Sequence, residues 1–161
     1  MHRDDTIRAV ATPSAPAAIG PYSQGVAAGG LLFVSGQLPL DPQTGEFVAG
    51  GIEAKTHQCL KNIAAIAQAA GTGLDRAVKL TVFLTDLANF ARVNQVYGQY
   101  FKAVLPARSA VQVAALPKGA EQSVAQIHVA PKPERTEADD ADDTWLAERV
   151  TYERTEGNAI A

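Results

Sequence analysis

Two apolar periodicities follow one another in the middle of this chain, and together they leave few folds open to it. From Ile52 the apolar residues fall at Ile52, Cys59, Leu60, Ile63, Ile66, Ala67 and Ala70, with Lys55, Gln58, Lys61, Asn62 and Gln68 on the other face. This is helical spacing, stopped at Gly71. Val78, Leu80, Val82 and Leu84 then alternate with Lys79, Thr81 and Phe83, the period of two that marks a strand. Asp86 can cap a second helix, whose stripe is Leu87, Phe90, Val93, Tyr97, Tyr100, Phe101 and Val104 and which ends before Pro106.

Shorter apolar stretches flank this unit. Ile7 to Thr12 and Gly25 to Gly36 read as strands between glycine and proline punctuation, and Asp41-Pro42-Gln43-Thr44-Gly45 is turn chemistry. Ala110 to Leu116 and Ser123 to Ala130 read as two final strands joined by Pro117-Lys118-Gly119. Strands, helix, strand, helix and two strands predict an α+β fold, a mixed sheet with two helices packed on one face. The other face then needs a cover. A homo-oligomer supplies it, with Val111, Val113, Ile127 and Val129 as the apolar positions expected there.

Charge divides the chain unevenly. Residues 1–133 hold 11 Lys/Arg against 8 Asp/Glu, hence +3, and residues 134–161 hold 3 against 9, hence −6. We expect a single domain over 1–133 and an acidic C-terminal extension over 134–161, with Pro131 to Asp143 as a solvated linker. Trp145, Leu146, Val150 and Tyr152 beyond it are apolar enough to dock on a surface. A body charge of +3 without a basic cluster argues against nucleic acid. No apolar run approaches the roughly 18 residues of a membrane helix, so no membrane partner is expected.

Met1 to Asp5 carries acids where a secretory leader is basic, and the lone Cys59 excludes an internal disulfide, so a reducing cytoplasmic setting is expected. Cys59 itself lies on the apolar stripe and reads as a packed small hydrophobe. His2, His57 and His128 are far apart with no cysteine or acid at ligand spacing, so no metal is expected.

Three segments carry groups suited to chemistry. Gly20-Pro21-Tyr22-Ser23-Gln24 joins a rigid turn to an aromatic hydroxyl. Val34-Ser35-Gly36-Gln37 ends a strand with a small hydroxyl and a flexible glycine whose backbone can approach a ligand. Pro106-Ala107-Arg108-Ser109 puts a guanidinium, a planar fork of donors suited to a carboxylate, at the entrance of a strand. Taken singly these read as a turn, a strand end and a surface arginine paired with a stray acid.

Taken together, in this order and spacing, they give a more specific result. With Asp41 to Glu46, Asn62, Ala70-Gly71, Val78 to Leu87, Phe90 to Asn94 and Pro106 to Val111, the chain resembles the RidA family of enamine/imine deaminases, also labelled endoribonuclease L-PSP proteins. The resemblance runs from about Ile19 to Val129. It implies a chorismate-mutase-like α+β fold and a homotrimer with ligand sites in clefts between subunits. Arg108 matches the arginine that clamps the substrate carboxylate, Tyr22 and Ser35 match pocket residues, and Gly36 and Ala110 match positions whose backbone faces the ligand. The implied reaction is hydrolysis of a small 2-imino acid to a 2-keto acid and ammonia, with no cofactor and no metal.

The family usually assigns proton transfer to a Glu on the final strand. Counting without gaps from Arg108 puts Ser123 there, and allowing two extra residues in the turn puts Ala125 there. Neither is a carboxylic acid, so weakened or altered activity is expected, or a non-catalytic module that binds a small carboxylate. Glu121, two residues before Ser123, would share its face on an extended strand.

Overall fold

The computed structural model describes residues 7–102 and 104–120 in full and the backbone of 124–129. Its strands are β1 (Arg8–Val10), β2 (Gly25–Ala28), β3 (Leu31–Val34), β4 (Ala77–Leu84), β5 (Ala107–Gln112) and β6 (Val124–Val129), and its helices are α1 (Ile52–Ala69) and α2 (Phe90–Tyr100). The six strands form one sheet in the order β1-β2-β3-β6-β4-β5. β4 and β5 run parallel, joined by the α2 crossover, and every other pair is antiparallel. This is the mixed α+β architecture expected, with both helices on one face. Residues 134–161, Glu121 and Ser123 lie outside the described residues.

Each element has a local cause. Gly29 and Gly30, at φ 56° and 78°, form the two-residue turn between β2 and β3, where both central residues must be left-handed. Gly71, at φ 78°, closes α1, with its N–H donating to Gln68 O at 3.0 Å. The Asp41 carboxylate accepts from the N–H groups of Gln43 and Thr44 at 2.7 and 3.2 Å, and so fixes the expected turn. The Asp86 carboxylate accepts from Ala88 N at 2.9 Å, but what it caps is a short 3₁₀ turn, Leu87–Asn89, that leads into α2.

The core lies between the helices and the sheet. Leu60, Ile63, Ile66 and Ala67 of α1 meet Leu32, Val34 and Leu80, and Val96, Tyr97 and Phe101 join them from α2 and its end. Ile52, Val82, Leu84 and Val93 form a second cluster beside it. Burying one such aliphatic side chain contributes about 1.5–3 kcal/mol.

Four expectations need correction. Asn62 belongs to the interior: it is 1% exposed, and its Nδ2 donates to Leu38 O at 3.2 Å and Leu40 O at 3.0 Å, while Oδ1 accepts from Gln58 at 2.8 Å. Replacing it by an apolar residue would strand two carbonyls, at about 1–3 kcal/mol for each one left dry. Val78 is exposed because a bulge between Ala77 and Lys79 shifts the alternation by one residue and turns Ala77 inward. α2 ends at Tyr100, so Val104 and Leu105 are exposed and lie outside the stripe. β5 begins at Ala107 and ends at Gln112, which places Arg108 within the strand and Val113 beyond it.

The helix-free face of the sheet exposes Phe33 (40%) and Val111 (41%), with Phe83 half-buried between their strands. Ile127 and Val129 pair through their backbones with Leu80 and Ala77, and the side chains expected on this face lie outside the described residues.

Candidate active site

The segment before β2 is held by a single buried amide. Gln24 Oε1 accepts from Thr12 N at 2.6 Å, and Nε2 donates to the carbonyls of Thr12, Ala15 and Pro16 at 3.1, 3.1 and 2.8 Å. These bonds fold residues 12–16 back onto the start of β2. Tyr22 N–H donates to Gly20 O at 2.8 Å, and the Tyr22 hydroxyl accepts from Ile19 N at 3.2 Å. The ring is thereby fixed in a tight loop while remaining 48% exposed. Its own hydroxyl hydrogen is left to give.

Ser35 lies just past β3, where its N–H donates to Gln24 O at 3.0 Å and its hydroxyl donates to Ser23 O at 2.6 Å. With that hydrogen committed, the Ser35 oxygen presents lone pairs only and acts as an acceptor. Buried Gln37 donates to Ser35 O at 2.9 Å and steadies the same turn.

Around these groups is a cavity of about 500 Å³ lined by Ile19, Tyr22, Ser35, Gly36, Leu38, Phe83, Leu116 and Pro117. Tyr22, Ser35 and Gly36 are thus brought together as expected. Leu38 reaches the cavity wall on the loop whose carbonyls Asn62 holds. Among the described residues no acid lines it. A second hollow of about 460 Å³ shares Tyr22 but is lined otherwise by small apolar residues, Val10 and the polar Thr12, Ser23 and Gln24. Among the described residues no three His, Cys, Asp or Glu side chains cluster as a metal site would require.

Arg108 does not line the cavity. It stands opposite Leu80 on the helix side of the sheet, whereas the cavity residue Phe83 belongs to the alternate positions of β4. Its Nη1 donates to Asn94 Oδ1 at 2.7 Å, and its guanidinium carbon sits 4.7 Å from the Tyr97 ring centroid and 5.3 Å from that of Phe90. No acid among the described residues pairs with it. The reading of a surface arginine bridged to a stray carboxylate therefore fails.

The bond to Asn94 takes one donor and leaves Nε and Nη2, the parallel pair along one guanidinium edge. Arg92 shows what that edge does: its Nε and Nη2 hold the two oxygens of Glu53 at 2.6 and 2.7 Å. That contact holds the Glu53 carboxyl below the usual carboxylate range. Arg108 has the same edge, with no carboxylate of the described residues on it.

Ala110 faces inward against the cluster of Ile52, Val82, Leu84 and Val93. Its backbone lies on β5, the edge of the sheet. Ala125 lies in β6 opposite Val82, a buried helix-side residue. Ser123 and Glu121 fall outside the described residues. Sequence reasoning missed Gln24, Asn94 and Tyr97 as supports of the site; the spacing Phe90, Asn94, Tyr97 was present in the α2 stripe, but only the position of β5 shows what it faces.

A fold of this topology, with a cavity lined by two hydroxyls, has clear relatives. The family model for endoribonuclease L-PSP matches residues 12–128, and the chain belongs to that family. The RutC family protein y4sK of Sinorhizobium fredii is 52% identical over 121 residues, covering 75% of this chain and 96% of the relative. The human 2-iminobutanoate/2-iminopropanoate deaminase is 45% identical over 122 residues, covering 76% of this chain and 89% of the relative. Among solved structures, E. coli TdcF with bound serine superimposes with a TM-score of 0.73 at 42% identity, covering 78% of this chain and 99% of that one. At family level the chain is thus similar to imine deaminases.

Proposed function

We propose that this protein hydrolyses small 2-imino acids to 2-keto acids and ammonia, at a rate reduced by the lack of a final-strand Glu. The observation that carries the proposal is the Nε and Nη2 edge of Arg108, which Asn94 holds and on which no acid of the described residues sits. The edge suits a carboxylate, the group every 2-imino acid carries. Binding of serine by TdcF, a similar protein, supports a small carboxylate-bearing ligand.

The chemistry follows from the groups present. Water adds to the carbon of the C=N bond to give a carbinolamine; a proton passes from the added water to nitrogen, the C–N bond breaks, ammonia leaves and the ketone remains. Arg108 fixes the substrate by its carboxylate. The Ser35 oxygen, an acceptor only, faces an N–H of the imine, and the Tyr22 hydroxyl donates its free hydrogen to the added oxygen. Such imines hydrolyse readily in water, so orientation alone accelerates them. With Ser123 at the family's Glu position, proton transfer falls to solvent water.

Arg108 and the cavity stand apart within one chain, and we propose that a homotrimer unites them, each cleft taking Arg108 from one subunit and Tyr22, Ser35 and Gly36 from the next. The apolar side chains on the helix-free face, Phe33 and Val111, support this as the covered surface. Light scattering at micromolar concentration is expected to give three times the chain mass, and a monomer there would contradict it. We place the protein in the cytoplasm. Among the described residues no helix is long and apolar enough to cross a membrane.

A second reading, a trimer that binds small carboxylates without turnover, is favoured by the absence of any acid among the described residues that line the cavity. Following loss of 2-iminopropionate generated in situ, with and without protein, separates the two.

A further inference from the structure

We infer that Tyr97 is a positioning residue that sets the plane of the Arg108 guanidinium and so determines which edge meets the ligand. The inference rests on the reading of Arg108 as the carboxylate clamp. Phe90, Asn94, Tyr97 and Phe101 recur at helical spacing along α2 and just past its end, and three of them touch Arg108. One hydrogen bond from Nη1 to Asn94 fixes a point but leaves the group free to turn about it. The Tyr97 ring, 4.7 Å from the guanidinium carbon, removes that freedom, because a cation over a ring is held toward its face.

Tyr97 is itself packed into the core. It is buried, and its ring lies against Phe101 with centroids 4.5 Å apart and 36° between planes. Its hydroxyl is buried without a hydrogen-bond partner among the described residues. Burial pushes the pKa of that phenol up, and nearby Arg108 offsets part of the effect. A phenylalanine would supply the ring without an unpaired hydroxyl, so the ring and the hydroxyl make separable predictions.

The test uses the full chain and 2-oxobutyrate as probe. Tyr97→Phe should keep affinity within about twofold and melt no lower than wild type, since a stranded polar group is removed. Tyr97→Leu should weaken binding about fivefold, the scale of one partly desolvated cation–π contact. In an Arg108→Lys background the same change should cost less than about twofold, a coupling that general damage to the core would not produce. The Arg108 Nε–H resonance should carry an upfield ring shift without ligand, kept in Tyr97→Phe and lost in Tyr97→Leu. Should Tyr97→Leu fail to fold, the Phe variant and a Phe90→Leu control still report that shift. Equal binding by wild type and Tyr97→Leu overturns the role of Tyr97 and leaves the clamp intact. A wild type that does not bind 2-oxobutyrate, with its ring shift present, overturns the clamp and the role of Tyr97 with it.

Discussion

Arg108→Ala is expected to weaken 2-oxobutyrate binding about 10²-fold while leaving the fold in place. Two charge-assisted bonds from Nε and Nη2 are lost, and at about 1.5–3 kcal/mol for a bond to a charged group their removal amounts to two decades or more. Arg108 is half-buried, touches Asn94 and two rings, and forms no ion pair among the described residues, so its truncation strands no acid. Arg108→Lys should fall between the two, since the charge stays and the parallel edge goes. Isothermal titration checks this. Equal affinity in wild type and Arg108→Ala would show that the carboxylate is held elsewhere.

Ser123→Glu is expected to raise the imine-hydrolysis rate on the order of 10²-fold, the lower end of what general acid–base assistance contributes. The gain comes from supplying at that position a group able to give and recover a proton. Ala125→Glu is the control. Its backbone pairs with Val82 within the sheet, and no gain in rate is expected from a carboxylate there. A faster Ala125→Glu enzyme with Ser123→Glu unchanged would mean that the turn carries two extra residues and that the assignment of position 123 is wrong.

The sequence was most legible where structure is local. The α1 stripe, the β4 alternation and the Asp41 turn are all set by neighbours within a few residues, and Ile63, Leu80 and Asp41 take the places their spacing predicts. It was least legible where the cause lies far along the chain. Asn62 counts as polar by periodicity, yet it is interior because Leu38 and Leu40, more than 20 residues earlier, offer it their carbonyls. Val78 left its face through a bulge that depends on pairing with β6.

The site divides in the same way. Tyr22, Ser35 and Gly36 meet in one cavity as their motifs suggest, each within a loop fixed by its own hydrogen bonds. Arg108 was legible as a carboxylate-binding type, but its separation from the cavity follows from β5 presenting it to α2. Gln24 shows the converse. Its amide looks like a turn residue in the sequence, and it proves to be the buried anchor of the whole segment that carries Tyr22.

Turnover of 2-imino acids through a carboxylate clamp on Arg108 is measured directly by an amino-acid oxidase generating 2-iminopropionate in place, with semicarbazide trapping what remains of the imine. Wild-type protein is expected to lower the trapped imine in proportion to its concentration, and Arg108→Ala at the same concentration is not. Trapping unchanged by wild-type protein at concentrations where it binds 2-oxobutyrate would contradict the enzyme and leave the binding module.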